Sequence, residues 1–236
     1  MAETLVMVGV KKLGREIALH FARQGWRVMC AARTAADVQA VAAEVQAAGG
    51  IGVPLTCDLL NPASLTPLSE IRPDLVVAAQ TAAGRFGSKP LLEIDDEELA
   101  RNLAAYVTGT WNLLKVAGRA QVAQGRGTFL QIGTSSGVRT KEGFAAIGAA
   151  QHALRALVQV AAKEWRAAGV HVAYLPIDSP IESASTREWA AKRGGATLMP
   201  PGEIARACEF LYRQDPRAWT HELMLRPQAS EWTAPT

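Results

Sequence analysis

No run of about 18 apolar residues, the length that crosses a bilayer, occurs in the 236-residue chain, and no membrane partner is expected. The opening residues lack a basic segment followed by an apolar stretch, so a cytoplasmic protein is the expectation. Cysteine is scarce. Cys30, Cys57 and Cys208 lie far apart, form no C-x-x-C pair and have no histidine at ligand spacing, which argues against a disulfide framework or a metal site. An excess of one charge is missing too: the formal net charge is only +3, with Lys and Arg scattered among Asp and Glu, so a nucleic-acid partner is disfavoured. Internal repeats and low-complexity tracts are also absent.

What is present is globular in composition, 49% hydrophobic and 20% charged, enough for a sizeable core. The chain is organised around its opening stretch. Leu5-Val6-Met7-Val8 is an apolar run broken by Gly9, and Gly14 stands where Arg15-Glu16-Ile17-Ala18-Leu19 begins a helix. A strand, a glycine turn and a helix N-terminus form a ready site for phosphate, because free N–H groups and the helix dipole both favour an anion.

Strand and helix then alternate. Strands are expected near residues 27–31, 52–56, 74–79, 128–132, 171–175 and 223–225. Thr34 with Asp37 approximates a capping box, and Asn61-Pro62 supplies an N-cap and a first-turn proline. A loop holding Gly84 and Gly87 leads to acidic residues 95–98, suited to the start of one long helix reaching about Val122. Another long helix spans about 147–168, and residues 179–201 read as a looser, lid-like segment over the pocket. This alternation implies an α/β single domain over 1–236, a Rossmann-like doubly wound parallel sheet of about seven strands with helices on both faces. Ligands of such sheets bind at the carboxyl ends of the strands.

The glycine turn, Arg33 after the second strand, Asp58 after the third, Thr108-Gly109-Thr110 and Gly143-Phe144-Ala145-Ala146 together resemble the short-chain dehydrogenase/reductase family over nearly the whole chain. The ending Ala218-Trp219-Thr220-His221-Glu222-Leu223 with Arg226-Pro227 resembles an atypical bacterial branch of it. The family's turn reads Thr-Gly-x-x-x-Gly-x-Gly; here Val8-Gly9-Val10-Lys11-Lys12-Leu13-Gly14 keeps the outer glycines, lacks the middle one and is one residue shorter. In the family a basic residue at the position of Arg33 accommodates the extra phosphate of NADP, so the resemblance implies NADP(H), with Lys11 and Lys12 adding charge. It further implies that Asp58 binds near the adenine amino group and that Gly9, Leu13, Gly14, Ala78 and Gln151 complete the cofactor contacts. The alternatives are surface roles for the three bases and a capping role for Asp58.

The resemblance fails where catalysis would occur. The family protonates its substrate with a tyrosine activated by a lysine four residues on, assisted by a serine thirteen residues earlier and an asparagine in the preceding long helix. Those positions hold Ile147, Gln151, Thr134 and Tyr106. Only Thr134 keeps comparable chemistry, and losing a general acid removes roughly 10²–10⁴-fold in rate. Asp178, in Pro176-Ile177-Asp178-Ser179, and Tyr106 are the candidate substitute acids, while Ile177 adds bulk beside the expected nicotinamide. Two readings follow. One is an atypical NADP(H)-dependent oxidoreductase acting on a small-molecule substrate; the other is a non-redox enzyme (lyase, isomerase or cyclase) or a noncatalytic NADP(H)-sensing protein. The long helices commonly pair between subunits in the family, implying a homodimer or homotetramer.

Overall fold

The apolar runs of the sequence become six parallel strands: β1 (Thr4–Val8), β2 (Arg27–Ala32), β3 (Ile51–Thr56), β4 (Leu75–Ala78), β5 (Gly127–Thr134) and β6 (Val170–Ile177). The computed structural model describes residues 2–81, 88–192 and 195–228; the loop holding Gly84 and Gly87 lies outside the described residues. The sheet order is β3-β2-β1-β4-β5-β6, which puts the reversal of strand order between β1 and β4. Helices α1 (Leu13–Ala22), α2 (Ala35–Ala47) and α8 (Pro201–Tyr212) cover one face; α5 (Gly109–Gln124) and α6 (Ala145–Trp165) cover the other. β1 shows why both faces are apolar: Leu5 and Met7 enter the first core cluster, Val6 and Val8 the second.

The expected seventh strand is a correction. Residues 222–225 lie beside β6 but meet it only at two parallel bridges, Tyr174 with Glu222 and Ile177 with Leu225. Leu223 N donates to the Tyr174 carbonyl at 3.1 Å, and Leu225 N to that of Pro176 at 3.1 Å. Between those bonds the ladder needs a donor at position 176, and proline has none. Pro176 therefore splits the pairing into two pieces. Arg155 on α6 holds the same segment with a bidentate pair to Glu222, at 2.8 and 2.7 Å.

The long helix expected from residue 95 is interrupted. α4 (Asp96–Asn102), capped by Asp95, passes into a π-helical stretch, Leu103–Thr108, before α5. The wider i→i+5 bonding shifts the side-chain register of the turn that carries Tyr106. The Thr34–Asp37 capping box is also absent: Thr34 makes no side-chain cap bond, and Asp37 pairs with Lys11 at 3.1 Å. Asn61 does cap as expected, accepting from Ala63 N ahead of a 3₁₀ turn (Pro62–Leu65) and α3 (Thr66–Glu70). The segment from 179 to 201 carries α7 (Ala184–Ala191), and its ends are joined by hydrogen bonds between Glu182 N and the Met199 carbonyl and between Met199 N and the Pro180 carbonyl, both 2.9 Å.

His171 on β6 stacks flat on Trp219, ring centroids 4.9 Å apart. Burial holds its pKa below the ordinary 6.5, so the folded protein keeps it neutral where the unfolded chain would protonate it. The stability this gives is complete above about pH 6.5 and is lost as the pH falls toward the lower folded value. Melting temperatures of the wild type and His171→Gln should therefore converge on acidification below about pH 6.5. A constant gap between them would contradict this.

Candidate active site

The glycine turn is built from close contacts. Gly9 has φ +85, and a Cβ there would sit 2.7 Å from the Ala79 carbonyl oxygen; at Gly14 a Cβ would fall on the Gly9 carbonyl oxygen. Gly9 thus permits the sharp exit from β1, and Gly14 permits α1 to start against the turn. Counted back from Gly14, the missing middle glycine is Lys12. It has φ 43 and ψ −100 and is the one non-glycine residue with positive φ among the described residues. Gly14 N donates to the Lys11 carbonyl at 3.0 Å, so residues 11–14 have the closing bond and first-corner dihedrals of a type II′ turn, a corner that favours glycine. Lys12 holds that strained backbone while its Nζ donates to Ser185 Oγ on α7 at 3.2 Å. Lys12→Gly should release about 1–3 kcal/mol of strain, partly offset by the freer unfolded chain, for a net gain of about 1 kcal/mol. Urea unfolding checks this, and a loss of stability would refute it.

At the carboxyl end of β2, Arg33 is exposed with no ion-pair partner among the described residues, whereas Lys11 is engaged by Asp37. Asp58 receives Leu60 N on its Oδ1 at 3.0 Å, so it caps the turn after β3; one carboxylate oxygen serves the chain itself. Leu13 and Ala78 are buried. The Ala78 carbonyl accepts from Gln131 Nε2 at 3.1 Å, which also reaches Gln80 Oε1 at 3.3 Å, and Gln80 Nε2 donates to Thr110 Oγ1 at 2.7 Å. This polar chain stiffens the floor at the end of β4.

At the end of β5, Thr134 N donates to Gln151 Oε1 at 3.2 Å, and Thr134 Oγ1 accepts from Ser136 N at 3.3 Å. Thr134 and Gln151, expected to share the site, are therefore in contact. Gln151 is 1% exposed, and its Nε2 has no hydrogen-bond partner among the described residues. A buried unsatisfied donor costs about 1–3 kcal/mol. Ile147, one helical turn earlier on α6, is apolar and half-buried.

The two substitute acids have other surroundings than those expected. Asp178 is nearly buried, with Oδ2 2.8 Å from Arg139 and 3.7 Å from Arg226. Its carboxylate is thus engaged within the chain by two guanidiniums. Tyr106 is 3% exposed and belongs to the core cluster with Leu113 and Leu154. Ile177 is 5% exposed and joins the opposite core cluster with Met199 and Ile204, so its bulk packs inward. Sequence reasoning missed Arg139, Arg226, Ser185 and Tyr174. The Tyr174 hydroxyl lies 3.3 Å from Gln151 Oε1, and a Cβ at Gly133 or Gly137 would strike it. Those two glycines were the available signal.

A family model described as Enoyl-(Acyl carrier protein) reductase matches residues 9–224. The chain belongs to the short-chain dehydrogenase/reductase family. Among curated relatives of this dehydrogenase/reductase, an uncharacterized oxidoreductase of Mycobacterium tuberculosis is 32% identical over 65% of this chain; the match spans 60% of that relative. D-threitol dehydrogenase of Mycolicibacterium smegmatis is 24% identical over 88% of this chain and 84% of its own length. A metagenomic short-chain oxidoreductase solved with NADP is 25% identical, with TM-score 0.79, covering 97% of this chain and 98% of that one. The fold is one that binds a nicotinamide cofactor. No helix among the described residues is long and apolar enough to cross a membrane.

Proposed function

We propose that this short-chain dehydrogenase/reductase is an NADP(H)-dependent oxidoreductase for a small molecule whose reduction needs no protein acid at the family's tyrosine position. The observation that carries it is the pairing of an intact ribose-side donor, Gln151 Nε2, with an aliphatic Ile147 where the acid would stand. The cradle fits the cofactor: Gly9 and Gly14 leave room that a Cβ would fill, and exposed Arg33 offers a fork of donors to a phosphate. The NADP held by the metagenomic neighbour supports the same preference. When bound, the cofactor supplies a hydride. Thr134, Gly9, Leu13, Gly14, Ala78 and Gln151 hold and orient; Arg33, Lys11 and Lys12 neutralise phosphate charge; Asp58 keeps one oxygen for the adenine end. Neither Asp178 nor Tyr106 receives the donor role, because one is engaged by Arg139 and Arg226 and the other is a core residue.

A substrate already carrying its proton, such as an iminium, suits this arrangement. The test is NADPH absorbance with a panel of imines, enones and ketones, in which ketones should be slower by roughly 10²-fold or more. Ketone turnover equal to that of imines would overturn the reading, and silence across the panel with NADPH bound would favour the non-redox or sensing alternative. Exposed Trp111 on α5 and Val160 on α6 support a homodimer or homotetramer. A monomeric mass by light scattering would count against it.

A further inference from the structure

We infer that Tyr174 is a positioning residue that sets the Gln151 amide so that its Nε2 points away from the chain's own acceptors and toward a ribose hydroxyl of the cofactor. The inference rests on the nucleotide reading above. Two donors converge on Gln151 Oε1, the Thr134 backbone N–H at 3.2 Å and the Tyr174 phenol at 3.3 Å. A backbone N–H only donates, so the oxygen must face it, and the amide cannot flip without setting donor against donor. The phenol shares its proton with the Thr134 carbonyl, also 3.3 Å away. With Oε1 held from two sides, Nε2 is left at the carboxyl end of β5, buried and without a partner among the described residues.

The phenol has little freedom to do anything else. Tyr174 is fully buried, burial pushes its pKa up, and it stays a neutral donor. Its hydroxyl occupies the space that a side chain at position 133 or 137 would take, so both glycines serve to admit the ring. The opposite arrangement is found at Gln131, whose Nε2 is used within the chain, at Ala78 O and Ile132 O. Gln151 is held the other way round.

A double-mutant cycle tests this with full-length protein and NADPH as the fluorescent probe. Gln151→Leu should weaken binding about 10-fold and Tyr174→Phe about 5-fold, as expected for one lost hydrogen bond each. If Tyr174 acts through Gln151, the double variant should bind about as weakly as Gln151→Leu alone; multiplied losses would overturn the inference. Wild-type protein that does not bind NADPH would overturn the nucleotide reading and the inference with it, whereas wild-type binding with additive losses overturns the inference only. Should Tyr174→Phe not fold, Gln151→Leu decides by itself. It must both weaken NADPH and change the tyrosine difference absorbance, and failure of either overturns the proposal.

Discussion

Replacing Arg33 by glutamate is expected to weaken NADPH binding about 100-fold while leaving NADH binding within a few fold. A bidentate guanidinium–phosphate contact is worth about 1.5–3 kcal/mol, or roughly 10–150-fold, and reversing the charge adds repulsion. The folded protein should not suffer. Arg33 is exposed and has no ion-pair partner among the described residues, so its removal strands no buried charge. The new carboxylate can accept from ribose hydroxyls, the role acidic residues play at this place in NAD-binding members of such folds. Because the site is open to solvent, raising salt should shrink the NADPH difference. Fluorescence titration with both dinucleotides reads the result, and equal losses for the two would refute a phosphate-binding role.

Gly14→Ala is expected to destabilise the protein by about 3 kcal/mol or more, although the same change inside an ordinary helix gains about 1 kcal/mol. The sign reverses because the added methyl would fall on the Gly9 carbonyl oxygen, with Met7 Cε 3.2 Å away. Gly9 cannot step aside: its N–H donates to the Ala31 carbonyl at 2.8 Å, and the Ala79 carbonyl closes its other side. Gly202→Ala is the internal control. It lies on α8, where an added methyl would meet nothing within 4 Å, so it should be neutral or mildly stabilising. Gly25→Ala, also unobstructed but at φ +79, should cost only the left-handed penalty of about 1–2 kcal/mol. Urea midpoints order the three variants. A Gly14→Ala protein as stable as Gly202→Ala would show that the turn is not closed as described.

Much of the fold was legible because the signals are local. Apolar runs marked all six strands to within about two residues, a normal boundary error. The misreadings have physical causes. Residues 223–225 carry the apolar run of a strand, but the segment they would pair with has no N–H at Pro176, so the ladder breaks there. The π turn at Leu103–Thr108 changes hydrogen bonding without changing the apolar pattern. Asp178 was a plausible acid only while Arg139 and Arg226 were unplaced.

By itself the sequence determined the alternation of strands and helices, the glycine turn, a basic residue after β2, and an isoleucine and a glutamine at positions 147 and 151, since each depends on residue type and short-range spacing. Tertiary structure alone decided which side chains meet. Tyr174 reaches Gln151 across 23 positions, Arg139 reaches Asp178 across 39, and Lys12 reaches Ser185 across 173. Such meetings depend on strand register and on the direction of each side chain, and local pattern leaves both free until the sheet is assembled.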